Sequence, residues 1–161
     1  MKYESYSPED TMAFGAELAK KAKAGDIICL CGTLGAGKTA FAKGYAKGLG
    51  VSAHVSSPTF TLMQVYEDGR LPLYHFDLYR LIELITDGPL SDEDVQIDDN
   101  ALDDIGFFDY LDADGVCLIE WAEYGRDAIP DGAVWVKIER CDRRDDDGSV
   151  AEGRAIYVCG L

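Results

Sequence analysis

Basic residues are scarce in this chain: 15 Lys and Arg stand against 30 Asp and Glu, a net charge of −15 over 161 residues. Gripping a free nucleic-acid backbone needs a Lys/Arg face that displaces counterions, so the charge argues against independent nucleic-acid binding. It argues equally against docking on an anionic membrane. Any RNA in its function would have to be held by a partner protein. Long apolar runs are missing too. No stretch approaches the roughly 20 residues that span a bilayer, and Met1-Lys2-Tyr3-Glu4-Ser5-Tyr6 is polar, unlike a secretory leader. No CxxC pair occurs among the five cysteines, an odd number, which speaks against a disulfide framework or a zinc site. Cys29 and Cys31 sit in the apolar run Ile27-Ile28-Cys29-Leu30-Cys31 and read as small buried hydrophobes in a reducing compartment. The expected location is therefore the cytoplasm.

What is present suits one ordinary domain over residues 1–161, with 47% hydrophobic residues to build a core, no internal repeat and no linker. Ser7-Pro8-Glu9-Asp10 reads as a helix start, with Ser7 as N-cap and Pro8 at the first helical position. Gly25 stops that helix, and 26–31 is a short continuous apolar run that suits a strand buried on both faces. A second helix is expected over 38–49, ended by Gly50. Strands are expected over 60–66 and 73–76 with a turn at Asp68-Gly69, which suggests a hairpin. The acidic stretch 85–104 reads as a surface loop insertion, and 104–111 as a short helix. A buried strand over 116–121 follows, then strands over 134–140 and 155–159 joined by a polar turn at 141–153. The expected fold is α/β: a P-loop NTPase-like three-layer sandwich, a central mixed β-sheet flanked by helices.

Gly32-Thr33-Leu34-Gly35-Ala36-Gly37-Lys38-Thr39 satisfies the pattern G-x-x-x-x-G-K-[ST] in full, between a strand pattern and a helix pattern. The glycines let backbone amides turn inward, and those amides with the positive helix end would cradle phosphates. Lys38 would meet the β- and γ-phosphates, and the Thr39 hydroxyl would meet Mg²⁺. Contacts to a nucleotide are thus expected from Thr33, Leu34, Gly35, Ala36, Gly37, Lys38, Thr39 and Ala40. Magnesium needs further oxygens, and strand ends are the place to seek them. Glu120 ends 116–119 and Asp77 ends 74–76, so both are candidates for metal binding and, with Lys38, for catalysis. Thr59, after Pro58, would sense the γ-phosphate or simply belong to a turn. Trp121 would wall the pocket or pack in the core. His54 and His75 could serve as bases but read first as half-buried packing residues, and Arg80 and Arg126 could offset phosphate charge but read first as surface arginines.

Five segments carry a resemblance: the Gly32–Thr39 loop, Val55-Ser56-Ser57-Pro58-Thr59-Phe60-Thr61-Leu62, His75-Phe76-Asp77-Leu78-Tyr79-Arg80, Gly106-Phe107-Phe108-Asp109-Tyr110-Leu111 and Ile119-Glu120-Trp121. In order and spacing, from about residue 7 to about 136, the chain resembles the TsaE family, the bacterial ATPases of tRNA threonylcarbamoyladenosine synthesis. The resemblance implies ATP as nucleotide, with Mg²⁺ held by Thr39 and Glu120 and with Asp77 supporting the metal or the attacking water. It implies that Trp121 lines the site and that the 7–11 region, Thr11 included, lies near the adenine. It further implies action with a TsaB–TsaD heterodimer, which transfers the threonylcarbamoyl group to adenosine in tRNAs reading ANN codons. Such a subunit meets tRNA only through that complex. Two other readings compete: a nucleotide-dependent assembly factor with negligible turnover, and a small-molecule kinase, which the acidic 85–104 stretch disfavours because it would repel phosphates. The chain departs from the family pattern at Thr33, at Ala122, and in the length of its acidic stretch.

Overall fold

The computed structural model describes residues 1–56, 58, 61–86, 95–144, 148 and 150–160. The elements run β1 (Lys2–Ser5), α1 (Pro8–Ala19), β2 (Ile27–Cys31), α2 (Lys38–Gly48), β3 (Met63–Tyr66), β4 (Leu73–Asp77), α3 (Leu78–Thr86), α4 (Asp99–Asp104), α5 (Phe107–Leu111), β5 (Val116–Glu120), a 3₁₀ segment (Ala122–Ala128), β6 (Val134–Arg144) and β7 (Val150–Cys159). Seven strands form one mixed sheet in the order β1-β7-β6-β2-β5-β4-β3. The centre is parallel, β2 lying between β5 and β6 with β4 beside β5. The flanks are antiparallel: β3 on β4, and the β6–β7 hairpin with β1.

Strand alternation distributes the core between two layers. Ile28 and Leu30 of β2, Leu118 of β5 and Val136 of β6 face α1 and α2, where Phe41, Tyr45 and Leu49 are buried. Ile27 and Cys29, with Cys117, Ile119 and Phe76, face the other layer, where α3 supplies Leu78, Leu81 and Ile82. The three-layer α/β sandwich is thus present. Ser7 caps α1 as its sequence requires, its hydroxyl accepting from the Asp10 amide at 3.0 Å.

The elements differ from the sequence expectations in several places. β1 and α3 were not anticipated: β1 is four residues long, and α3 follows β4 with no turn residue between them. Part of 85–104 is helical rather than loop, because Asp98 caps α4 and the apolar residues Ile97 and Leu102 are buried. The expected helix over 104–111 is instead α5 alone, separated from α4 by Gly106 with φ 72°. β6 and β7 extend well into the expected 141–153 turn, since their backbone ladder continues through Arg144↔Val150. The expected strand start at Phe60 lies outside the described residues, and the strand itself begins at Met63.

Candidate functional site

Three parallel strands, β2, β5 and β4, end at one edge of the sheet, and each delivers a polar element there. β2 runs into the glycine loop 32–37, which opens directly into α2. Gly32 needs its missing Cβ: φ is 137°, and a Cβ would stand 2.2 Å from the Ile138 carbonyl oxygen of β6. Gly37 caps α2 with φ 117° and offers no side chain to the first amides of the helix. Those amides form the positive end of a helix, a ready anion site. Leu34 stands at the loop tip and is 85% exposed.

β5 and β4 end in paired carboxylates. Asp77 and Glu120 are register partners, so their side chains leave the same face at adjacent strand ends. Both are buried, Glu120 at 2% exposure and Asp77 at 6%. One Asp77 oxygen accepts the Tyr79 amide at 3.1 Å and so caps the start of α3. Glu120 Oε1 lies 2.8 Å from His75 Nε2, and His75 is itself fully buried. An ionised carboxylate only accepts, so against ionised Glu120 the imidazole donates from Nε2. Its Nδ1 is buried without a partner among the described residues.

Lys38 lies between these parts. Its ammonium donates to the carbonyls of Gly32 and Thr33 at 2.5 and 2.9 Å, and sits 3.7 Å from the centre of the Trp121 ring. Burial holds its pKa below the usual lysine value, against the opposing pull of Glu120, Glu123 and Asp77. Trp121 has a left-handed backbone, φ 58°, uncommon for a large residue, which turns the chain back after β5. Its ring stacks on Tyr124 and meets Tyr79 at a tilt of 38°. Beside the loop a cavity of about 810 Å³ is lined by Gly32, Thr33, Trp121, Glu123, Trp135 and Tyr157 among others.

The sequence candidates therefore converge in part. Thr33–Ala40, Asp77, Glu120 and Trp121 share the edge where β2, β4 and β5 end. Thr11 lies behind the loop: it is fully buried, and its hydroxyl pairs with Ser5 at 2.7 Å. Thr59 lies outside the described residues. His54 is exposed rather than half-buried, and His75, read as packing, is the partner of Glu120. The signal for His75 was available: it stands two residues before Asp77 and so shares its strand face. Arg80 pairs with Glu83, and Arg126 lies 4.5 Å from the centre of the Trp135 ring. Cys29 and Cys117 are buried as expected, whereas Cys159 is exposed and Cys31 and Cys141 are half-buried.

The donor set suits a small hard cation shared with a ligand. Among the described residues no group of three or more His, Cys, Asp or Glu could hold a metal unaided. Two buried carboxylates and the Thr39 hydroxyl are hard oxygens, and Mg²⁺ characteristically completes such a set with phosphate and water. Among the described residues no helix is long and apolar enough to cross a membrane.

The family model for "Threonylcarbamoyl adenosine biosynthesis protein TsaE" matches residues 5–147. The Bacillus subtilis (strain 168) protein named "tRNA threonylcarbamoyladenosine biosynthesis protein TsaE" is 39% identical over 161 residues, covering 99% of this chain and 91% of that relative. The protein of the same name from Treponema pallidum is 39% identical over 138 residues, covering 86% of this chain and 90% of the relative. The crystal structure of Bacillus subtilis YdiB superposes with a TM-score of 0.71 at 34% identity, covering 100% of this chain and 86% of that one.

Proposed function

The chain belongs to the TsaE family, and on that premise we propose that it binds ATP with Mg²⁺ and hydrolyses it in support of tRNA threonylcarbamoyladenosine synthesis. The observation that carries this reading is the meeting of Lys38, the register-paired Asp77 and Glu120, and the open N-terminus of α2 at one sheet edge. In a protein of net charge −15, a polyphosphate needs such a local cradle of amides and one ammonium.

Lys38 rests on the carbonyls of Gly32 and Thr33, places from which it would swing to the β- and γ-phosphate oxygens. Thr39, Glu120 and Asp77 would hold Mg²⁺, which supplies charge neutralisation on the phosphates. The His75 contact fixes one oxygen of Glu120. Trp121 would close the site over the Lys38 side. The partner in this reading is a TsaB–TsaD heterodimer, and tRNA is met only through it.

Titration calorimetry with Mg²⁺-ATP tests the binding step. Wild-type protein binds, and Lys38→Ala weakens binding at least about 30-fold, the loss of one charge-assisted phosphate contact worth some 2 kcal/mol. Turnover is tested with TsaB–TsaD added: stimulated phosphate release is expected, and Glu120→Ala abolishes it. Repeated rounds of tRNA modification sustained by a non-hydrolysable ATP analogue would replace hydrolysis with a nucleotide-dependent assembly role. No heat with any adenine or guanine triphosphate at saturating magnesium would end the nucleotide reading.

A further inference from the structure

Two of the three carboxylates around Lys38 are engaged by donors on neighbouring elements, and the third keeps one buried oxygen without a hydrogen-bond partner among the described residues. Glu120 is engaged by His75, and Asp77 caps α3. A carboxylate that holds a cation is also a weak proton acceptor, because the cation favours its charged form. Glu123 stands apart from both duties. It follows Trp121 by two residues on the 3₁₀ segment, past the left-handed turn that brings the chain back towards the glycine loop. It lines the same cavity as Gly32, Thr33 and Trp121. Its Oε2 is buried with no hydrogen-bond partner among the described residues. Its charge acts on Lys38 second only to that of Glu120 and ahead of Asp77. Burial raises the pKa of the Cys31 thiol at the end of β2, and the Glu123 charge adds to that rise. An orphaned carboxylate oxygen buried in a protein costs stability, so its retention beside the one catalytic ammonium calls for a ligand.

We propose that Glu123 is the proton acceptor for the water that attacks the γ-phosphate. This rests on the ATP-hydrolysis reading above and assigns the proton transfer to Glu123 rather than to Asp77. The water oxygen forms a bond to the γ-phosphorus. The bond from that phosphorus to the β–γ bridging oxygen breaks, and ADP departs with the electron pair. The water proton passes to the Glu123 carboxylate and from there to solvent. The cavity lining also carries Arg126 and Lys137, and among its described residues Glu123 is the one carboxylate, so it is the strongest proton acceptor to which a water there would orient.

The test uses the full chain with Mg²⁺-ATP under single-turnover conditions, with nucleotide affinity and turnover measured separately. Glu123→Gln keeps the shape and removes the basicity. It is expected to bind ATP within about threefold of wild type and to lose turnover by roughly 100-fold or more. Glu123→Asp, which keeps the carboxylate one methylene further back, should recover part of the rate. A Glu123→Gln protein that turns over within threefold of wild type overturns the proposal and leaves the phosphate site standing. Loss of binding and turnover together, in Gln and Asp variants alike, also overturns it and makes Glu123 a structural residue. A wild-type chain that binds no ATP refutes the nucleotide reading itself.

Discussion

The contact between His75 and Glu120 decides how the second carboxylate of the site can exist at all. A carboxylate buried to 2% exposure pays a large desolvation cost unless something donates to it. His75 Nε2 at 2.8 Å is the side-chain donor found there. Replacing His75 with Leu leaves that oxygen unsatisfied and should lower stability by about 1–3 kcal/mol, whereas His75→Gln, which keeps a donor, should lose less. Urea unfolding of the nucleotide-free proteins checks this, and equal midpoints for Leu and wild type would show that the bond contributes nothing. Thiol reactivity is a second residue-scale consequence. Burial pushes the Cys31 thiol up to about 12, with Glu123 adding to the rise, and burial likewise raises Cys117 to about 12. Thiolate is the reactive form, so alkylation at pH 8 should label exposed Cys159 first. Cys29, Cys31 and Cys117 should react only after unfolding, as peptide mass mapping over a time course would show. Early labelling of Cys31 would contradict the geometry at the end of β2.

At the scale of elements, α1 and α2 approach through glycine. A Cβ on Gly44 would stand 2.0 Å from the Met12 carbonyl oxygen, and one on Gly48 2.4 Å from that of Ala16. Alanine ordinarily favours a helix interior over glycine by about 1 kcal/mol. Here Gly44→Ala must push the two helices apart, so the sign reverses and a loss of about 1–3 kcal/mol is expected. A melting temperature equal to or above wild type would refute that close contact. This also shows what was legible in the sequence. The apolar run before 32 and the helix pattern after 38 gave β2, the loop and α2, because a continuous apolar strand and a glycine turn are local signals. Asp68-Gly69 gave the β3–β4 hairpin for the same reason. By contrast α3 begins at Leu78 directly after Asp77, which belongs to β4 and caps the helix at once, so no breaker marks the boundary. β1 is held by pairing with β7, some 150 residues away, a contact that no local pattern announces. Within the site, strand ends pointed to Asp77 and Glu120. The pairing of His75 with Glu120 depended on the register of β4 against β5, which only the sheet determines. Glu123 was hidden because the turn at Trp121 is left-handed without a glycine.

For the whole molecule, the site couples three structural layers, and binding should therefore report on global stability. The glycine loop joins β2 to α2, Glu120 and Asp77 close β5 and β4, and Lys38 leans on Trp121 at the head of the 3₁₀ segment. A ligand that grips all of these favours the folded state alone. Its contribution is RT ln(1 + [L]/Kd), about 2.7 kcal/mol at a ligand concentration of 100 Kd. In a domain of this size each kcal/mol shifts the melting temperature by about 2–4 °C, so saturating Mg²⁺-ATP should raise it by about 5–10 °C. On the proposed reading the shift should depend on magnesium, because the two buried carboxylates at this sheet edge would repel a bare polyphosphate. Chelating the metal should therefore remove most of the gain while leaving the nucleotide-free melt unchanged, since His75 and the Tyr79 amide already donate to these carboxylates. Lys38→Ala should show no nucleotide shift under the same conditions. Differential scanning fluorimetry across ATP, ADP and AMP, with and without EDTA, separates these cases. A shift of equal size for ATP with and without magnesium would mean that Asp77 and Glu120 hold no metal in the complex.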